Sequence, residues 1–142
     1  MAINIVEIYL KNEPGALLEV TELLENHGVD IYCISNTGED EYIPVEMVLS
    51  HTQKAIHELA KLEYECEVQE GIAFQIPNHP GGLNTALRPL AEARINLISV
   101  FSAVSRKTQD SIIVVRVPDG DTDRAEQILK QSWINILDVD SF

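Results

Sequence analysis

Apolar and polar positions along the chain fall into two periods that alternate in a fixed order. Residues 3–9 carry β-branched and aromatic side chains at the density of a partly buried strand. Leu17, Val20, Leu23, Leu24 and His27 follow at three- and four-residue spacing, the stripe of a helix that buries one face. Residues 29–36 and 43–49 are two more strand segments around the polar turn Thr37-Gly38-Glu39-Asp40-Glu41, which reads as a hairpin. A second helix fits 53–62, with Ile56, Leu59 and Ala60 inward. The alternating run Glu63-Tyr64-Glu65-Cys66-Glu67-Val68 then reads as a closing strand with one solvated face.

The same order begins again at 72–76, another strand. Leu83, Leu87, Leu90 and Ala91 mark a helix, 95–105 and 111–117 a hairpin around Arg106-Lys107-Thr108-Gln109, and 121–131 a second helix. That helix turns Ala125, Ile128 and Leu129 inward, with Asp121 or Thr122 as its cap. A final strand is read over 133–139, and Trp133 is expected in the core. The second hairpin reads about three residues longer than the first. Pro89 breaks the local rule, because proline removes an internal hydrogen bond and clashes with the preceding turn. It predicts a kink or a late helix start, the alternative being a helix that begins near Leu87 with Pro89 in its first turn.

Each copy therefore reads βαββαβ, a four-stranded antiparallel sheet with two helices on one face, so the chain is α+β with two tandem ferredoxin-like units. The boundaries are read as 1–69 and 70–142, with only Gln69-Glu70-Gly71 between the copies, too short for a free linker. The repeat is also visible residue by residue. Lys11-Asn12-Glu13-Pro14-Gly15-Ala16-Leu17 aligns with Pro77-Asn78-His79-Pro80-Gly81-Gly82-Leu83, and Asn, Pro, Gly and Leu coincide. In such a strand-to-helix turn proline fixes φ, glycine permits a tight approach, and the first N–H groups of the helix lack internal partners. The turn is thus suited to a carboxylate, which gains hydrogen bonds and the favourable end of the helix dipole.

Charge narrows the choice of ligand and partner. The 10 Lys and Arg against 23 Asp and Glu give a net charge of −13, a field that repels phosphate backbones and anionic membranes. At 142 residues and 45% hydrophobic composition, the chain is long enough for a core. The two cysteines, Cys33 and Cys66, form no CxxC and no disulfide framework, which fits a reducing, cytoplasmic setting. Both are read as core or near-core residues rather than nucleophiles. His27, His51, His57 and His79 lack metal-binding spacing and are read as surface residues; no metal and no cofactor is expected. The acidic tip Glu39-Asp40-Glu41 is read as solvated rather than as a cation site.

Lys11-Asn12-Glu13-Pro14-Gly15-Ala16-Leu17 followed by His27-Gly28-Val29-Asp30-Ile31 resembles the opening of an ACT domain. Pro77-Asn78-His79-Pro80-Gly81-Gly82-Leu83 followed by Arg94-Ile95-Asn96-Leu97 is similar, so the resemblance spans nearly the whole chain as two ACT-like units. It implies a stand-alone, non-catalytic regulatory protein that senses a small molecule, usually an amino acid, where two units join. Carried over by position, the resemblance implies ligand contacts from Asn12, Glu13, Pro14, Gly15, Ala16 and Leu17 with Asp30 and Ile31. In the second copy it implies Asn78, His79, Pro80, Gly81, Gly82 and Leu83 with Asn96 and Leu97. Backbone N–H groups of Ala16 and Leu17, or of Gly82 and Leu83, would hold the ligand carboxylate. Asp30 stands where the family has Asn, so the two sites differ in charge; Gly81-Gly82 reads as the looser turn, and the second turn is slightly favoured.

Three classes of function follow. The first is an amino-acid-binding regulator of an enzyme or pathway of amino-acid metabolism, homodimeric through sheet edges. The second is a protein-interaction regulatory subunit without a ligand site. The third is an enzyme on the same fold, for which no nucleophile-base pair, phosphate loop or metal motif is present.

Overall fold

The computed structural model describes residues 2–142. Its elements are β1 (Ile3–Lys11), α1 (Ala16–Asn26), β2 (Ile31–Asn36), β3 (Tyr42–Leu49), α2 (Thr52–Lys61) and β4 (Cys66–Ile76). They continue with α3 (Asn84–Glu92), β5 (Ser99–Val104), β6 (Ser111–Arg116), α4 (Thr122–Gln131) and β7 (Ile136–Leu137). Contacts divide the chain into two compact units, one of Asn4–Gln69 and one that takes in Glu70–Phe142. Each follows the βαββαβ order, with antiparallel ladders and a core of its own.

In the first unit β3 lies between β2 and β1, with Val6 opposite Met47 and Ile8 opposite Val45. Alternation puts Val6, Ile8 and Leu10 on one face, where they meet Val20 and Leu24 of α1 and Ala55 and Leu59 of α2. Tyr9 and Lys11 face the other way. Cys66, at the start of β4, also packs on this core. In the second unit β6 lies between β4 and β5, and β7 pairs with β4 on its other side. Phe74, Ile72 and Val115 form the centre of its core with Leu90 of α3 and Leu129 of α4.

All four helices end the same way. The second residue past each helix takes a left-handed conformation: Gly28 (φ 67°), Glu63 (64°), Arg94 (59°) and Trp133 (63°). The next N–H then reaches back to a leucine carbonyl, as Val29 to Leu24 (2.9 Å), Tyr64 to Leu59 (3.2 Å), Ile95 to Leu90 and Ile134 to Leu129 (both 3.0 Å). This is the Schellman cap, with an apolar residue set against a buried leucine each time. The repeat is therefore written into the helix ends as well as the turns.

Several sequence expectations are corrected. Trp133 is 95% exposed: it occupies the left-handed cap position, and the inward residue is the next one, Ile134. Gln69-Glu70-Gly71 do not separate elements but lie inside the continuous strand β4. The strand read over 133–139 shrinks to two residues, because Val139–Ser141 winds into a 3₁₀ turn in which Ser141 Oγ donates to Asp138 (3.1 Å). β5 starts at Ser99 rather than near residue 95, since Ile95 is committed to the α3 cap. In α2 and α3 the buried small residues are Ala55 and Ala86, while Ala60 and Ala91 face solvent.

α3 begins at Asn84 and carries Pro89 inside it, so neither the late start nor the first-turn alternative holds. Asp121 precedes α4 without a capping hydrogen bond; its carboxylate instead lies 3.5 Å from Arg124. His27 is half-buried, its ring held between the Leu23 carbonyl (2.8 Å) and Glu58 (3.1 Å), whereas the other three histidines are exposed.

Candidate functional site

The Asn-x-Pro-Gly turn of the first unit is built as its residue types dictate. Gly15 takes φ 86°, which an L side chain rarely adopts, and swings the chain into α1. The Ala16 N–H reaches the Glu13 carbonyl at 3.3 Å, and the first full-turn bond is Glu19 N–H to Gly15 C=O at 3.1 Å. The N–H groups of Leu17 and Leu18 precede that bond and are the donors an α-helix leaves at its start. The Asn12 N–H donates to the Glu41 carbonyl (2.7 Å), which ties the turn to the tip of the first hairpin.

A cleft of about 830 Å³ opens at this turn, entirely within the first unit. Its near wall is Glu13, Pro14, Gly15 and Ala16, all of them sequence-predicted site residues. Its other walls were not anticipated: Tyr9, Leu10 and Lys11 from the end of β1, Glu19 from α1, Tyr42 from β3, and Glu63, Tyr64 and Glu65 after α2. Tyr9 stands opposite Pro44, and Lys11 opposite Tyr42, so Tyr9, Lys11 and Tyr42 share one face of the β1–β3 ladder. Tyr64 is brought in by the α2 cap, which requires Glu63 in the left-handed region. Burial first, and then a hydrogen bond and the charge of Glu19, raise the Tyr64 phenol above its ordinary value, so it stays protonated as a donor. Lys11 lies 3.6 Å from Glu13. The signal that these positions share a cleft was the alternation of Tyr9 and Lys11 against the core-facing Ile8 and Leu10, which sequence reading used only to place a strand.

The remaining predicted residues are dispersed. Asn12 is exposed but does not line the cleft. Leu17 and Ile31 pack on the first core. Asp30 is exposed on a different, shallower cleft; its N–H is held by Ser50 Oγ (2.8 Å), and its carbonyl accepts from the Ser50 N–H (3.0 Å). Within the first unit, then, the turn and the start of β2 are not brought to one pocket.

The second turn closes on itself. Gly82 donates its N–H to the His79 carbonyl (2.9 Å), accepts from Thr85 Oγ1 (2.7 Å) and is buried. A Cβ at Gly82 would run into the Pro77 carbonyl, so Gly81-Gly82 is the tighter turn rather than the looser one. Its N–H is thus engaged and not directed to a ligand. His79 Nδ1 lies 2.8 Å from the Pro80 carbonyl. Asn78, Pro80, Gly81 and Asn96 are exposed, and Leu83 and Leu97 pack on the second core. Beyond the turn, the Gln75 side chain bonds both Asp110 (3.1 Å) and Asn135 (2.6 Å) across the matching end of the sheet.

Burial pushes the Cys33 thiol up to about 12 and also raises that of the half-buried Cys66, as expected of packing residues rather than nucleophiles. Among the described residues no group of three or more His, Cys, Asp or Glu is arranged to hold a metal, and no helix is long and apolar enough to cross a membrane.

Residues 72–131 match the family profile of the ACT domain. No curated protein sequence matches the chain significantly. Among solved structures, the fold matches a protein from Bacteroides thetaiotaomicron with TM-score 0.87 at 21% identity, covering 96% of this chain and 92% of that one. The ligand-free regulatory subunit of aspartate kinase from Thermus thermophilus matches with TM-score 0.64 at 14% identity, over 93% of each chain. The corresponding subunit from Thermus flavus gives 0.56 at 16% identity, over 92% of this chain and 94% of that one. At these identities the likeness is one of fold.

Proposed function

With residues 72–131 an ACT domain, we propose that this chain is a non-catalytic regulatory protein that binds an amino acid and so controls an enzyme or pathway of amino-acid metabolism. The observation that carries the reading is the cleft at the β1–α1 turn, roomy enough for a small-molecule ligand, whose wall runs from Glu13 through Ala16 into the start of α1. The α-carboxylate would sit at the start of α1, with Glu13, Pro14, Gly15 and Ala16 as the wall. On this reading the ligand binds at the first turn rather than the second. The domains are 1–69 and 70–142, and the protein works in the cytoplasm, in keeping with its two free thiols.

A second reading is a protein-interaction regulatory subunit. It is favoured by one observation: Val100 and Val104 on β5, with Ile98 just before it, form an exposed apolar row along a strand paired only with β6 among those described. We assign that row to a second copy of the chain, which makes the protein a homodimer.

A thermal-shift panel of the twenty amino acids tests the first reading, because a ligand at 100 times its Kd stabilises by about 2.7 kcal/mol. One or a few amino acids raise the melting temperature by several degrees, and Glu13→Ala, in the cleft wall, weakens the response more than His79→Ala does. A folded protein that responds to none of them supports the interaction subunit instead.

A further inference from the structure

The cleft of the first unit has a chemical character that its fold does not require. Four carboxylates, Glu13, Glu19, Glu63 and Glu65, line it against a single cation, Lys11, which already lies 3.6 Å from one of them. Three tyrosines also line it: Tyr64 beside Glu63 and Glu65, and Tyr9 and Tyr42, which are 42% and 57% exposed, with the Tyr9 hydroxyl donating to Glu7 (3.1 Å). Rings with a negative face and carboxylates attract the same kind of group, an ammonium or guanidinium ion.

The second unit supplies an internal comparison. By the turn alignment and the shared helix caps, Tyr9, Glu13 and Glu19 correspond to Gln75, His79 and Thr85, and Glu63, Tyr64 and Glu65 to Trp133, Ile134 and Asn135. Each of these six tyrosines and glutamates is replaced by a residue of another kind, although Trp133, 95% exposed, keeps an aromatic ring and the Asp110 carboxylate lies beside Gln75. Gln75 and Asn135 then bond to each other across the equivalent place. The same backbone plan is thus built once with an open cleft lined by carboxylates and tyrosines, and once with Gln75 bonded to both Asn135 and Asp110.

We propose that the first-unit cleft selects its ligand through a cationic group, seated at Tyr64 and the carboxylates Glu19, Glu63 and Glu65. This rests on the amino-acid-binding reading above and deepens it: the ligand carries a positive charge besides its α-ammonium. The carboxylate end meets the helix start, and the distal cation meets Tyr64 and the glutamates. The arrangement also reconciles a net charge of −13 with binding, since the far end of the ligand is drawn to an anionic protein.

Isothermal titration of the full chain with L-arginine and with L-citrulline, its neutral isostere, separates charge from shape. Arginine binds at least tenfold more tightly than citrulline, and Glu63→Gln/Glu65→Gln removes at least tenfold of the arginine affinity. Both positions are exposed, and circular dichroism confirms that the variant folds. Asp119→Asn/Asp123→Asn, which removes the same charge from the second unit, leaves arginine binding within twofold. If both double variants lose affinity equally, the ion is only a diffuse counterion and the proposal fails. If citrulline or another neutral amino acid binds as tightly as arginine, the cation proposal fails while amino-acid binding stands. If arginine, L-lysine and agmatine all fail to bind, the proposal is likewise overturned, and the remaining amino acids decide the broader reading.

Discussion

Gly82 and Ala16 occupy matching places in the two turns, and what stands opposite each decides what it tolerates. A methyl group on Gly82 meets the Pro77 carbonyl, whereas Ala16 carries its methyl on the wall of the cleft. Gly82→Ala is expected to lower stability by about 1–3 kcal/mol, an overpacking cost, and Ala16→Gly by roughly 0.5–1 kcal/mol, the usual cost of backbone freedom. Denaturant melts of the two variants check this, and a neutral Gly82→Ala would contradict the packed turn. Cys33 offers a second check. Its thiol, raised to about 12 by burial, is bound to its proton more firmly in the folded chain than in the unfolded one. The resulting contribution to stability is complete below the ordinary thiol value of about 9 and is lost as pH rises from there towards about 12. Native Cys33 is therefore expected to stay unreactive towards Ellman's reagent at pH 8, and to react at once in denaturant. Both turns were legible as turns, yet a glycine pair shows only its freedom in sequence, not the carbonyl beside it. Trp133 misled for a related reason: hydrophobicity argues for the core, but the cap geometry one residue before Ile134 turns it outward.

At the scale of elements, the four matching caps explain why the helices were the most legible part of the chain. A leucine three residues from the end and an apolar residue after the left-handed position form a packing pair that periodicity reads directly. Strand limits depend instead on partners distant in sequence, which is why β4 runs through an expected separator and β7 is cut to two residues. Pro89 is the element-level exception. It denies the Thr85 carbonyl its helical N–H, and α3 nevertheless continues to Glu92, held by the Arg94 and Ile95 cap bonds. Pro89→Ala is expected to raise stability by about 1–3 kcal/mol, read as a higher melting temperature. A decrease would mean that the ring's packing matters more than the missing hydrogen bond.

Across the whole chain, one plan is used twice and diverges where ligand chemistry would act. The repeat, its βαββαβ order and the two turns were readable because each rests on local residue types; the tyrosine and glutamate walls of the cleft come from β1, α1, β3 and the segment after α2 and were not. The central claim is that the first turn and its cleft bind an amino acid. It is tested most directly by titrating the amino acid that best stabilises the protein into the ¹⁵N-labelled chain and following amide shifts. Saturable shifts at Gly15, Ala16, Leu17, Leu18 and Tyr64, with Gly81, Gly82 and Leu83 unmoved, are the expected result. Shifts confined to the second turn, or none at a concentration that stabilises the protein, would contradict the account.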